Sequence, residues 1–148
     1  MRRTLLGTAV VALALLALAP AAMSEESVAP TLTVKSSSFG RVLFDGRGYV
    51  LYAFTRDANG RSACYGACAK AWPVYYSKGT LRAGTGIKRS LLGTAKRRDG
   101  RRQITYARRP LYYYVGDTRP GQILCQDVAE FGGTWLIVRP SGRLVRRR

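Results

Sequence analysis

The chain repeats itself. Displaced by about 60 positions, Arg41 falls on Arg101, Leu51 on Leu111, Tyr52 on Tyr112 and Asp57 on Asp117, while aromatic Phe54 meets aromatic Tyr114. Small slips carry the match onward to Gly60 with Gly121, Cys64 with Cys125 and Trp72 with Trp135. Self-similarity at a fixed period marks one supersecondary unit used twice. Each unit reads as strand, turn, aromatic strand, aspartate turn, cysteine region and tryptophan. Neither copy holds enough apolar residues for a generous core of its own, so the two are expected to pack around a pseudo-twofold axis with shared strands.

Local patterns fill in the unit. Val42-Leu43-Phe44 and Tyr49-Val50-Leu51-Tyr52-Ala53-Phe54 are β-rich runs on either side of Asp45-Gly46-Arg47-Gly48, a hairpin pattern. A second tight hairpin is expected where runs 94–98 and 101–106 flank Asp99-Gly100. Further strand signals lie at 73–76, 111–115 and 134–138. The alanine- and cysteine-rich stretch 63–72 fits a short helix, stopped by Pro73 because proline disfavours helical geometry in the residue before it. One helical turn fits 88–92. The expected fold is mostly β: two pseudo-symmetric strand-hairpin repeats packed as one domain, with one or two short helices. Its segments are a flexible lead-in over 25–38 with an edge strand at Leu32-Thr33-Val34, repeat 1 over 39–76 and a connecting loop over 77–93. Repeat 2 then covers 94–140, and a frayed basic tail covers 141–148.

The repeated residues invite two readings. In a strand Tyr52 and Phe54 share a face, as do Tyr112 and Tyr114. Three residues on, Asp57 and Asp117 land in turns, where a carboxylate accepts backbone N–H bonds or a tyrosine hydroxyl. The favoured reading is structural, with aromatics for core area and aspartate as turn lock. Its rival is a platform of exposed tyrosines for sugar or aromatic ligands, which makes the chain a saccharide-binding module.

Three cysteines leave one over. A local Cys64–Cys68 disulfide leads, a bridge from Cys125 to either of them follows, and Cys125 is otherwise a free thiol. A metal site is the weakest option and none is expected, because the chain has no histidine and structural zinc takes four ligands. The same lack of histidine excludes the usual Ser-His-Asp and Cys-His sites, so no catalytic residue is assigned and no enzyme is expected. A thiol–disulfide or electron-handling role for the cysteines remains the main alternative.

With both copies of the motif in place, at Tyr52/Phe54/Asp57 and Tyr112/Tyr114/Asp117, the chain resembles the bacterial "secreted repeat of unknown function", predicted lipoproteins with a Y-x-[FWY]-x-x-D motif. Around the motif stand Cys64-Tyr65-Gly66-Ala67-Cys68-Ala69 leading to Trp72-Pro73, then Asp99-Gly100 with Gln103, then Pro110-Leu111-Tyr112. The resemblance covers about residues 39–140 and implies export and paired repeats. It implies no activity, cofactor or catalytic residue.

The first 24 residues have the layout of a secretory signal peptide. Arg2 and Arg3 precede an apolar run over 5–19, and small residues follow, placing cleavage after about Ala21 or Ser24. The apolar run is short of the ~20 residues that span a bilayer. No cysteine lies near the cleavage region, so the chain departs from the lipoprotein pattern. The expected location is the periplasm or the exterior.

Lys and Arg total 25 against 8 Asp and Glu, a formal charge of +17. A surface so basic attracts polyanions. Arg97, Arg98, Arg101, Arg102, Arg108 and Arg109 crowd the second hairpin and are the candidate contacts, joined by Arg143 and Arg146 to Arg148 of the tail. An anionic envelope polymer or membrane surface is the expected partner, with no specific nucleic acid and no cofactor. The resulting expectation is an exported, non-enzymatic, envelope-associated protein with a binding or structural role.

Overall fold

The computed structural model describes residues 31–146. The leader, its cleavage site, the first part of the lead-in and Arg147–Arg148 lie outside the described residues. Eight strands form three small antiparallel sheets. Strands β1 (Leu32–Ser37) and β2 (Gly40–Asp45) pair as a hairpin. Strand β3 (Tyr52–Phe54) is followed by the single helix among the described residues longer than one turn, α1 (Ala67–Ala71). After a 3-10 turn at Arg89–Leu91 come β4 (Leu92–Lys96) and β5 (Arg102–Tyr106), a second hairpin extended by β6 (Arg109–Pro110). Strands β7 (Val128–Glu130) and β8 (Gly133–Ile137) complete the chain, and β8 lies between β7 and β3.

The repeats exchange their tryptophan segments. Strand β3 of repeat 1 pairs with β8 of repeat 2, in the register Tyr52 with Ile137 and Phe54 with Trp135. In the arrangement related by the pseudo-twofold, Tyr112 bridges Val74, the Tyr113 N–H donates to the Pro73 carbonyl and the Val115 N–H donates to the Ala71 carbonyl. Each hairpin closes over the segment it receives in the same way. The Leu43 N–H donates to Val138 and the Leu51 N–H to Leu43, and correspondingly Ile104 donates to Tyr75 and Leu111 to Ile104. On the pseudo-twofold axis itself, Tyr52 and Tyr112 exchange two backbone hydrogen bonds, both 2.9 Å. Neither repeat is therefore a self-sufficient unit, and its apolar shortfall is met by its twin.

Two apolar clusters result. One gathers both tryptophans with Val42, Phe44, Tyr52, Phe54, Tyr112 and Ile137. The other lies under both hairpins, around Leu32, Leu43, Leu51, Ile104, Leu111 and Val138.

Four expectations need correction. The lead-in carries a complete strand, β1, whose Leu32 and Val34 are buried, so it belongs to the core hairpin. The Asp45-Gly46 turn does close, with the Asp45 N–H donating to the Tyr49 carbonyl, but β2 takes its full ladder from β1 and β3 takes its own from β8. Segments 73–76 and 111–115 alike have isolated bridges, at Val74, Tyr76 and Tyr112, in place of strands, and a turn begins at Val115. The tail is tied down as far as Val145, which is buried, with Leu144 bridging Val138 and the Gln126 side chain donating to the Val145 carbonyl.

Candidate functional site

The motif residues meet across the repeats. Tyr52 donates its hydroxyl to Asp117 at 2.7 Å, and Tyr112 donates to Asp57 at 2.8 Å. Each aspartate's other oxygen accepts a backbone N–H from the loop it heads, Ala63 for Asp57 at 2.7 Å and Leu124 for Asp117 at 2.9 Å. Those donors immediately precede Cys64 and Cys125, so the turn, the cysteine region and the opposite strand are held by one carboxylate. Turn aspartates accept such bonds because their short side chains reach backbone N–H groups nearby.

Between the two pairs runs a column of rings. Trp72 and Trp135 stack at 3.9 Å with planes 1° apart. Tyr114 packs on the outer side of Trp72 at 4.8 Å, and Phe54 stacks on Trp135 at 4.2 Å. Tyr52 and Tyr112 meet the two indoles edge-on at 5.2 and 5.1 Å. The end ring on each tryptophan comes from the other repeat, so the column is the side-chain counterpart of the strand exchange. Tyr52 and Tyr112 have no solvent exposure, which removes the exposed-tyrosine platform for sugars at those positions.

Burial sets the protonation of these groups. Asp57 is pushed up to about 6 by loss of solvent, a rise that the Ala63 N–H, the Tyr112 hydroxyl and the Arg97 charge only partly oppose. Asp117 is raised for the same first reason, against its bonds from Tyr52 and Leu124. Both tyrosine hydroxyls are held far above their usual range by burial, with the neighbouring carboxylates adding to the effect. Each pair thus keeps a neutral tyrosine donating to a carboxylate, which is a lock.

The cysteines divide as one bridge and one thiol. Cys64, in the loop before α1, forms a disulfide with Cys68 in the helix's first turn, with Cα atoms 5.3 Å apart. Cys125, the repeat equivalent of Cys64, is free and buried. Burial raises its pKa, and Glu130 and Asp117 add to the rise while the Tyr114 hydroxyl opposes it. A thiol so placed is held in its unreactive form. Among the described residues no group of three or more metal-ligating side chains gathers.

The six candidate arginines do not form one surface. Arg97 is buried, 5% exposed, and its guanidinium donates to Ser62, to Gln103 and to the Cys64 carbonyl at 2.6 to 2.8 Å. Ser62 shares a 2.6 Å hydrogen bond with the Tyr112 hydroxyl, so Arg97 is the far end of the Asp57 network. This placement corrects its expected role as a surface contact: polar partners make burial of a charge tolerable. Arg101 covers the ring of Tyr76, Arg102 donates to Thr94, and Arg109 donates to the Gly142 carbonyl.

Arg98 and Arg108 do face a common space. It is an open groove of about 1230 Å³ between the 56–65 loop of repeat 1 and the β4–β5 hairpin of repeat 2. Arg56, Arg61, Lys96, Arg98 and Arg108 are exposed along it, Arg97 and Tyr65 form its floor, and no acidic side chain lines it. Arg97 and Arg98 both lie over the Tyr65 ring, at 4.2 and 4.6 Å. Arg108 stands at φ 61, a left-handed position that non-glycine residues seldom take. Arg56, Arg61 and Lys96 were not singled out from the sequence. Their signal was the Asn59-Gly60 turn, which places Arg56 and Arg61 in a loop where charge must meet water.

A family model described as "secreted repeat of unknown function" matches residues 33–75 and 93–139. No curated protein and no solved structure matches the chain. The two matched blocks each begin in the first strand of a hairpin and end in a tryptophan segment, so the unit seen by the family model is the unit whose last element is exchanged.

Proposed function

The chain belongs to the secreted repeats of unknown function, and on that premise we propose that it is an exported, non-enzymatic protein that binds anionic polymers of the cell envelope in its basic groove. The leader over residues 1–24, cut after about Ala21 or Ser24 with no lipidation cysteine, is part of the same proposal. The domain is then held near the envelope by charge and not by lipid.

The observation that carries the reading is the groove itself: five exposed cationic side chains, drawn from both repeats, with no carboxylate among them. Elsewhere the chain is sparing with counter-charge, and Arg47–Asp45 is the one ion pair among the described residues. Like charges facing each other across a groove repel unless an anion lies between them, so their juxtaposition favours a polyanionic occupant. Guanidinium groups bind phosphate, sulfate and carboxylate oxygens in pairs, which suits a charged polymer of loose sequence. Against catalysis stands the lack of histidine.

The test is retention on a heparin matrix. The exported protein should be held at low ionic strength and released steeply as salt rises, because binding releases counterions. Arg56→Gln, Arg61→Gln and Arg98→Gln together should elute at markedly lower salt. Arg139→Gln, Arg143→Gln and Arg146→Gln, which remove equal charge from a separate exposed patch, should shift elution less. Absence of retention at low salt, or equal shifts for the two triple variants, would defeat the groove assignment.

A further inference from the structure

A second cavity lies away from the groove and has the opposite character. It holds about 490 Å³ and opens between the Asp45-Gly46 turn, the Val74–Tyr76 segment and the 77–82 loop. That volume is within the range of small-molecule sites, roughly 300–1,000 Å³. Its walls are aromatic and aliphatic, with Tyr75, Tyr76 and Tyr113 facing Val74, Leu81 and Ile104. Its mouth is cationic. Arg47 lies over the Tyr113 ring at 5.7 Å, Arg101 over Tyr76 at 3.3 Å, and Lys78 and Arg82 stand on the loop.

The walls are braced from behind. Tyr113 donates its hydroxyl to Asp45 at 2.9 Å, Tyr75 donates to the Thr31 carbonyl and Tyr76 to Asp99 at 3.2 Å. The loop is pinned to β1 by the Arg82 N–H on the Thr31 hydroxyl, 2.9 Å, and the Thr31 N–H on the Arg82 carbonyl, 2.9 Å. Asp45 is the single acidic side chain of the lining, and it is fully engaged. It accepts from the Arg47 and Tyr49 N–H groups, the Arg47 guanidinium and the Tyr113 hydroxyl. The site therefore offers ring faces and an apolar base, with Lys78, Arg82 and Arg101 at the rim beside an Arg47 that already neutralises Asp45.

We propose that this cavity binds a small planar aromatic molecule carrying a carboxylate. The ring body would lie among the tyrosines, where offset and edge-on contacts add to area burial. The carboxylate would meet Arg101 and Arg82 at the mouth. None of this rests on the polyanion reading, and the two linings have no residue in common: Arg101 borders the cavity and not the groove.

The probe is 2-naphthoate, titrated calorimetrically into the exported protein, with neutral 2-naphthalenemethanol as its partner of equal shape. One saturable site is expected, with the naphthoate bound about tenfold more tightly than the alcohol. Leu81→Trp, which fills the cavity from a half-buried loop position, should remove binding while circular dichroism shows the fold retained. Arg101→Gln, an exposed change, should weaken naphthoate severalfold and leave the alcohol unchanged. The groove triple variant should bind naphthoate as the parent does. Equal affinity for naphthoate and alcohol, undiminished binding to folded Leu81→Trp, loss of binding in the groove variant, or no saturable binding at all would each overturn the proposal.

Discussion

In repeat 1, Asp57 receives Tyr112 within a network that continues through Ser62 to a buried arginine and on to Gln103. In repeat 2, Asp117 receives Tyr52, and among the described residues no arginine bonds into that pair. The cysteine regions diverge in parallel, since Cys64 is bridged to Cys68 whereas Cys125 is a buried thiol. The tryptophans differ as well. The Trp72 indole donates to Glu130 at 2.9 Å, while the Trp135 indole N–H is buried with no acceptor among the described residues. What the copies share, the crossed tyrosine–aspartate bonds and the exchanged tryptophan segments, is what holds the fold. What they do not share is where each has been adapted, and only the network around Asp57 reaches the floor of a groove, through Arg97 of the opposite repeat.

The largest test strikes the shared part. Trp72→Ala and Trp135→Ala each empty a fully buried site at the centre of the ring column and should each cost about 3–5 kcal/mol. Because each tryptophan segment completes the opposite half, denaturation of either variant should stay a single transition. Two separated transitions, one half melting before the other, would break the exchange.

Next come the aspartates. Asp57→Ala and Asp117→Ala should each lower stability by roughly 1–3 kcal/mol through loss of a hydrogen-bonded carboxylate, half-buried at Asp57 and buried at Asp117. The loss should be greater at Asp57, where Tyr112, Ala63 and the arginine network all lose a partner. A double-mutant cycle sharpens the comparison: Asp57→Ala with Tyr112→Phe should be coupled, and Asp57→Ala with Tyr52→Phe should be additive. Coupling within a repeat in place of coupling across would contradict the crossed geometry.

A smaller effect is expected from the bridge. It closes a very short loop, so its loss should cost at most about 2 kcal/mol. Alkylation of the unreduced, denatured protein should label one cysteine, Cys125, and alkylation of the native protein none.

The smallest is a pH effect that separates the copies by degree. An unfolded aspartate titrates near ~3.9, and Asp57 in the fold is pushed up to about 6. A raised folded value means its favourable contribution is complete below about pH 4 and is lost as pH climbs through 6. Stability should therefore decline across that window by on the order of 1 kcal/mol, and Asp57→Asn should flatten the decline. A profile that rises from pH 4 to 6, unchanged in Asp57→Asn, would show the carboxylate to be better solvated than its surroundings imply.

Much of this was legible before the structure. The repeat displaced by about 60 positions identified the equivalent aromatics, aspartates and tryptophans, because side chains that do the same packing work recur at the same spacing. Asp99-Gly100 marked a hairpin and Pro73 the end of α1, since both act through their own backbone geometry. The mostly β class was an equally local inference, from β-rich runs between turn residues, while export was implied by the resemblance to the family. All of these are set within a dozen residues or by comparing one stretch with another.

The rest was decided by contacts that no local pattern encodes. Periodicity tells which face of a strand is buried and is silent on which distant strand will cover it. So the pairing of β3 with β8, the anchoring of Val145 and the place of β1 in the core emerged only when the chain closed on itself. The same reason divided the arginines. A guanidinium is read from sequence as surface charge because burial costs too much without partners, and Arg97 found its partners on Ser62 and Cys64, more than thirty residues away. The groove, too, exists only because Arg56 and Arg61 of one repeat come to face Lys96, Arg98 and Arg108 of the other. The sequence by itself determined the unit and its duplication; the tertiary structure decided what each unit lends its twin, because burial is a property of pairs of segments and not of either one alone.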